Sequence, residues 1–441
     1  MTRRNVRVGG RLRRRLLALG KDVLIAVLVV LDVVLFIMCL PQKTLTETKW
    51  LAQTLRPFAG IFGLNEAELT YTAPATGSTV IGAAQPVAIT LMTEAGRQTA
   101  QYDFAALDEL YGQYGALLAQ ALESAEAPQP CTEQDFFTAL QTPSAAFCYP
   151  GAIAPAVLGA WLNVRAPAGE QAQWYVLCEQ DGAVWLYLRG EDCYAARTEL
   201  ALQTFSAQLE AAVPDGSFFA FETDRSPYAA LSGLCLVQQH PTQIATAVSS
   251  NPCDTRFISA LATQIGINPY GDARFVSSDG ATSFTETGLT LRVSPQGQIT
   301  LQLLQADTRF QSASSAARDQ IEAARSLISS LTGDDYGDAR VYLRRYETDG
   351  TQAVCEFGYY LGGVQTALQN GAMEVRFDGT QITRASILYR KLSVQEQTAP
   401  LLPGAQAAAC VPTGEALRLL YVEDADGRLC AGWQIGSGGA K

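Results

Sequence analysis

The chain of 441 residues has a single histidine, His240, which precedes a proline in the loop-like stretch Gln238-Gln239-His240-Pro241. Nucleophile–base triads and histidine metal sites therefore have one possible member, and a structural role is expected for it. The five lysines, Lys21, Lys43, Lys49, Lys391 and Lys441, stand in no phosphate-loop context, and no Ser-x-x-Lys nucleophile motif occurs. Carboxylates remain, because glycan cleavage needs only two of them at a suitable separation and the residues after position 40 supply 41. Abundance makes that signal weak. Asp334-Asp335 and Glu423-Asp424-Ala425-Asp426-Gly427 are the calcium candidates, but the second lacks the third ligand position and the terminal glutamate of a calcium loop. A hairpin turn after Leu419-Leu420-Tyr421-Val422 accounts for it instead. Neither a catalytic set nor a metal or cofactor site is expected.

Nine of the ten cysteines follow the first 40 residues: Cys131, Cys148, Cys178, Cys193, Cys235, Cys253, Cys355, Cys410 and Cys430. An odd number leaves at least one unpaired or intermolecular. The spacing contains no CxxC and is too sparse for a disulfide scaffold or zinc ribbon. Runs such as Val354-Cys355-Glu356-Phe357 use cysteine as a small buried apolar residue, so mostly free thiols are expected.

The most specific pattern is a repeat. Tyr270-Gly271-Asp272-Ala273-Arg274 recurs 66 residues later as Tyr336-Gly337-Asp338-Ala339-Arg340. Each copy follows a helical pattern, Asp254 to Ile265 and Ala316 to Leu331, and leads into strands that turn at Asp279-Gly280 and Asp349-Gly350. Two related helix-plus-sheet modules in tandem are expected. The charges of each copy could be offered to a partner. The alternative, which we prefer, is structural: glycine makes a turn, aspartate bonds the local backbone and arginine pairs across strands.

These elements must be placed in a compartment, and the N-terminus sets it. Val23 to Leu40 is an 18-residue apolar run preceded by Arg3, Arg4, Arg7, Arg11, Arg13, Arg14, Arg15 and Lys21. As a helix it rises about 27 Å, close to the ~30 Å hydrocarbon core. It ends Phe36-Ile37-Met38-Cys39-Leu40-Pro41, without the small residues of a cleavage site, so a permanent signal anchor is expected, N-terminus in the cytoplasm and the remainder outside the cell. Arg11, Arg13, Arg14, Arg15 and Lys21 are expected to hold anionic lipid at the cytoplasmic face. Asp32 lies inside the run and costs on the order of 3 kcal/mol at a helix centre. Fourteen Val, Leu, Ile and Phe residues offset this. Either Asp32 meets a polar group on a partner's membrane helix, the reading we prefer, or it is a protonated carboxyl bonded within its own helix or reached by water.

Residues 41–441 carry 24 basic and 41 acidic side chains, a surface that repels phosphate backbones and excludes nucleic acid as a partner. The expected fold class is α+β, one transmembrane helix followed by antiparallel sheets each packed with helices. Expected segments are a basic tail at 1–21, the transmembrane helix at 22–41 and a juxtamembrane helix at 42–63. A first α+β domain follows at 64–165, with strands at Glu68 to Tyr71 and Val87 to Met92 and helices from Phe104 to Glu123 and after Thr132. A second unit at 166–225 holds a hairpin turning at Asp181-Gly182, a helix with Leu202, Phe205 and Leu209, and a strand Phe218 to Phe221. The two related modules occupy 226–310 and 311–441.

This plan resembles the YycH/YycI family of membrane-anchored accessory proteins of WalK-type sensor histidine kinases in Gram-positive bacteria. The similar residues are Asn268-Pro269-Tyr270, Phe284-Thr285-Glu286-Thr287-Gly288-Leu289, the closing pattern Leu420-Tyr421-Val422 to Gly432-Trp433-Gln434-Ile435, and Phe137 to Leu162 with Tyr149-Pro150-Gly151 and Ile153-Ala154-Pro155. The resemblance implies a non-enzymatic regulator whose membrane helix contacts the kinase's transmembrane helices and whose outer domains pair with a sister YycH/YycI-type protein to set kinase activity toward cell-wall genes. The cysteines and the long arginine-rich tail depart from the family pattern. An envelope scaffold or adhesion protein is the alternative, and a wall-active glycan hydrolase a more distant one.

Overall fold

The computed structural model describes residues 83–223, 231–237, 243–271, 274–286, 288–368, 373–411 and 416–436. All of these belong to one compact unit, Thr76–Lys441. The expected tail, apolar run, juxtamembrane helix and strand at 68–71 lie outside the described residues, with Arg11, Arg13, Arg14, Arg15, Lys21 and Asp32. Among the described residues no helix is long and apolar enough to cross a membrane.

The unit is α+β and mostly antiparallel. Its first layer is a seven-stranded sheet made of β1 (Ala88–Thr93), β2 (Gly96–Gln101), β3 (Gln129–Pro130), β4 (Ser144–Ile153), β5 (Ala172–Gln180), β6 (Ala183–Arg189) and β7 (Cys193–Arg197), in the order β2-β1-β4-β5-β6-β7-β3. The Asp181-Gly182 turn has both residues at positive φ, 51° and 73°, the geometry that matches a two-residue hairpin to strand twist. Alternate strand residues feed two cores. Ile89, Leu91, Phe147, Tyr175, Leu177, Leu186 and Leu188 meet α1 (Phe104–Ser124) and the faces of α3 (Pro155–Trp161) and α4 (Leu202–Leu209). Cys148, Trp174, Val176 and Cys178 meet Phe136 and Leu140 of α2 (Glu133–Gln141). Asp103 caps α1 by accepting from the Ala105 amide, and Thr132 caps α2 in a reciprocal box with Asp135.

Two expectations change here. The division at 165/166 falls between β4 and β5, which pair directly from Ser144 opposite Cys178 to Cys148 opposite Trp174, so both flanking units contribute to one sheet. The proline and glycine punctuation at 150–155 is a register irregularity in β4 followed by α3, whose first residue is Pro155; proline lacks only an amide that no helix start uses. The strand expected at Phe218 to Phe221 stops after β8 (Phe218–Phe219), which pairs with β9 (Leu236–Val237), and continues as a 3₁₀ turn Ala220–Glu222. Glu222 pulls that turn in, accepting from the Phe219 amide at 2.7 Å and pairing with Arg97 of β2, which is only 4 % exposed.

The second layer is a 13-stranded sheet. Its first part is β10 (Gln243–Ser250), α5 (Thr255–Gln264), β11 (Arg274–Val276), β12 (Thr282–Glu286), β13 (Leu289–Val293) and β14 (Gln298–Leu303). The second is α6 (Ala317–Thr332), β15 (Arg340–Thr348), β16 (Gln352–Leu361), β17 (Val364–Ala367), β18 (Met373–Asp378), β19 (Gln381–Leu388), β20 (Lys391–Pro400), α7 (Gly404–Ala409), β21 (Ala416–Glu423) and β22 (Arg428–Gly436). The strands run β11-β12-β13-β14-β19-β18-β16, with β15 on the far side of β16 and β17, β21, β22, β10 and β20 continuing the path. Each repeat copy thus opens a run of four antiparallel strands, β11-β12-β13-β14 and β15-β16-β18-β19, the second with β17 leaving between β16 and β18 to pair with β21. The two runs abut through their last strands, β14 antiparallel to β19 from Gln298 opposite Leu388 to Gln302 opposite Arg384. The expected modules are arranged back to back in one sheet, and β11 and β15 occupy equivalent outer positions.

Candidate contact surface

The second repeat copy follows α6, which ends on Gly333 at φ 71°. Tyr336 is buried, its hydroxyl 2.7 Å from Thr332 Oγ1 and its ring edge-on to Tyr359 and Tyr389. Burial raises its pKa. Gly337 has φ 68°, and a Cβ there would lie 2.3 Å from the Leu392 carbonyl oxygen, so only glycine fits. The Leu392 amide donates to Tyr336 O and the Asp338 amide to Leu392 O, while the Asp338 carboxylate accepts from the Val394 amide at 2.8 Å. These bonds fix the start of β20.

Arg340 reaches the first layer. Its guanidinium donates to both carboxylate oxygens of Asp108 at 2.8 and 2.6 Å and to Gln85 Oε1 at 2.8 Å, and lies 4.1 Å above the Phe104 ring. Phe104 and Asp108 are one turn apart on α1, which makes them neighbours on one face. β4 also packs close against β15, where a Cβ on Gly151 would lie 2.2 Å from Arg344 O. Trp161 of α3 donates to Glu322 of α6, closing the contact between layers. In the second copy glycine makes the turn, but aspartate bonds the backbone of β20, 56 residues on, instead of the local backbone, and arginine pairs with a helix of the other layer instead of across strands.

The first copy has the same residues and different surroundings. Asn268 makes the local turn, its Oδ1 accepting from the Tyr270 amide at 3.0 Å. Tyr270 is 85 % exposed, and Gly271 has room for a side chain, the nearest atom to a Cβ being Asn268 Nδ2 at 3.5 Å. Arg274 is exposed, and Phe275 and Val276 of β11 are 65 % and 54 % exposed. β11 pairs only with β12, so its outer edge is open among the described residues. Asp272 and His240 lie outside the described residues.

The acidic candidates serve local structure. Asp335 pairs with Lys391, whose hydrogen bond holds its carboxyl below the ordinary range. Asp334 accepts from Tyr336 Oη at 3.3 Å and also from Ser329. Asp424 accepts from the amides of Asp426 and Arg428 at 2.9 and 2.8 Å in the turn between β21 and β22. Among the described residues no three His, Cys, Asp or Glu side chains cluster as a metal site.

Sequence reasoning did not single out Phe275 and Val276, because a strand residue's exposure depends on what covers its sheet. It also missed Asp108 as the acceptor of Arg340, 232 residues away. No protein-family model matches the chain, and neither does any curated protein or solved structure.

Proposed function

We propose that this chain is a non-enzymatic regulator of a sensor histidine kinase controlling cell-wall metabolism, held by one N-terminal membrane helix and acting by contact. On this reading Asp32 meets the kinase's transmembrane helices, anionic lipid holds the basic tail, and the outer region pairs with a sister YycH/YycI-type protein. The observation that carries it is the unequal burial of the two repeat copies, which leaves Phe275 and Val276 exposed on an open strand edge and Tyr270 exposed in the turn before it. Exposed apolar residues on an unpaired edge are a template for another chain, by main-chain pairing reinforced with side-chain burial. The basic segment before the apolar run and the segments that resemble the family support the same reading.

Asp32→Leu tests it. The variant is expected to insert in the membrane as the parent does and to lose kinase on co-purification from native membranes, whereas undiminished recovery of kinase contradicts a contact at this position.

A further inference from the structure

β3 hangs at the outer edge of the first sheet, paired only with β7, where Gln129 faces Ala195 and Pro130 faces Tyr194. The next residue pair in that register is Cys131 and Cys193. The Cys131 amide donates to Cys193 O at 3.0 Å, so the two are directly opposed across a backbone hydrogen bond. Opposed residues carry their side chains on one face. Both sulfurs belong to the cluster around Phe136 and Trp174, Cys193 buried and Cys131 half-buried at its margin.

Hydrogen-bonded antiparallel pairs have Cα atoms about 5.5 Å apart, inside the ~4.4–6.8 Å range of disulfides. The other strand cysteines do not share this placement. Cys148 faces Ala88 and Trp174, Cys178 faces Ser144 and Trp185, Cys355 faces Tyr346 and Val375, and Cys430 faces Val422. We propose that Cys131 and Cys193 form an oxidation site for low-molecular-weight disulfides, which convert the pair into a cross-strand disulfide fastening the α1–α2 connection to the sheet.

The half-buried Cys131 reacts first, as the nucleophile. Its thiolate displaces one glutathione thiolate from oxidised glutathione, leaving a mixed disulfide; the Cys193 thiolate then attacks the Cys131 sulfur and displaces the second. The two cysteines lose two protons and two electrons, and two molecules of reduced glutathione carry them away. Burial, with Cys193 and Asp135 nearby, pushes the Cys131 thiol up to about 11, and burial raises Cys193 against the opposing pull of Arg189. Since the thiolate is the nucleophile, closure should quicken about tenfold per pH unit across neutral and mildly alkaline solution.

The test uses the full-length protein in detergent, treated with oxidised glutathione at mildly alkaline pH, alkylated in denaturant and digested without reduction. Mass spectrometry should find the Cys131 and Cys193 peptides joined, two hydrogens lighter than their sum and separable by a reducing agent. In Cys193→Ser the Cys131 peptide should carry glutathione instead. Recovery of both cysteines alkylated, each glutathionylated but unjoined, or joined to other partners overturns the proposal. The readout is independent of kinase, membrane topology and the edge of β11.

Discussion

Two copies of one pentapeptide have become different objects. Tyr336 and Ala339 are buried and Arg340 is half-buried, held by β20, α6 and α1 of the other layer, while Tyr270 and Arg274 are exposed. Both copies lead into the outer strand of a run of four antiparallel strands, and the runs abut at β14 and β19. The difference therefore lies in the cover. Residues 84–223 supply a second layer over β15, and nothing among the described residues does so for β11. A motif's role follows from what the rest of the chain stacks on it, and the uncovered copy is the one available to another molecule.

Substitutions at equivalent positions separate the copies. The largest contrast is expected at glycine. Gly337→Ala should destabilise by about 2–4 kcal/mol, combining left-handed strain with a clash against Leu392 O, whereas Gly271→Ala should stay within about 0.5 kcal/mol. Denaturant unfolding of the full-length protein in detergent measures both, and equal losses would remove the contrast. Arginine should come next. Arg340→Ala loses a bidentate ion pair and a cation–π contact, about 1–2 kcal/mol after allowance for partial exposure, while Arg274→Ala should be nearly neutral.

The smallest effect concerns acid. The folded pKa of Asp335 is lowered by Lys391, so its contribution is present above the unfolded value of ~3.9 and is lost as pH falls through the folded one. Asp335→Asn should flatten the acid limb of a stability–pH curve slightly, below about 0.5 kcal/mol for so exposed a pair. An unchanged limb would show that the bond to Lys391 contributes nothing in solution.

Much of this was legible in the chain. The helix after Thr132, the Asp181-Gly182 hairpin, and the helix before and strands after each repeat copy rest on caps, turn residues and periodicity, all local properties. Joining sheets across expected boundaries was not, because the pairing of β4 with β5 bridges a helix and a loop that composition marks as a break. β20, Lys391–Pro400, has little apolar periodicity and is specified by its partners, β10 and the backbone of Tyr336 to Asp338. The candidate surface was half legible: the repeat named Tyr270 and Arg274, but identical letters in Tyr336 and Arg340 gave no warning that one copy would be buried. Asp108, Phe104 and Gln85 converge on Arg340 only in three dimensions.

The most direct test of action by contact is a photo-crosslinking residue at position 275, compared with one at the equivalent position 341, in cells whose membranes are then solubilised. The account predicts an adduct with a separate membrane-anchored protein or the sensor kinase from position 275, and no such adduct from position 341, where β15 is covered by its own chain. Adducts with a separate protein from position 341 alone, or none from position 275, would contradict it.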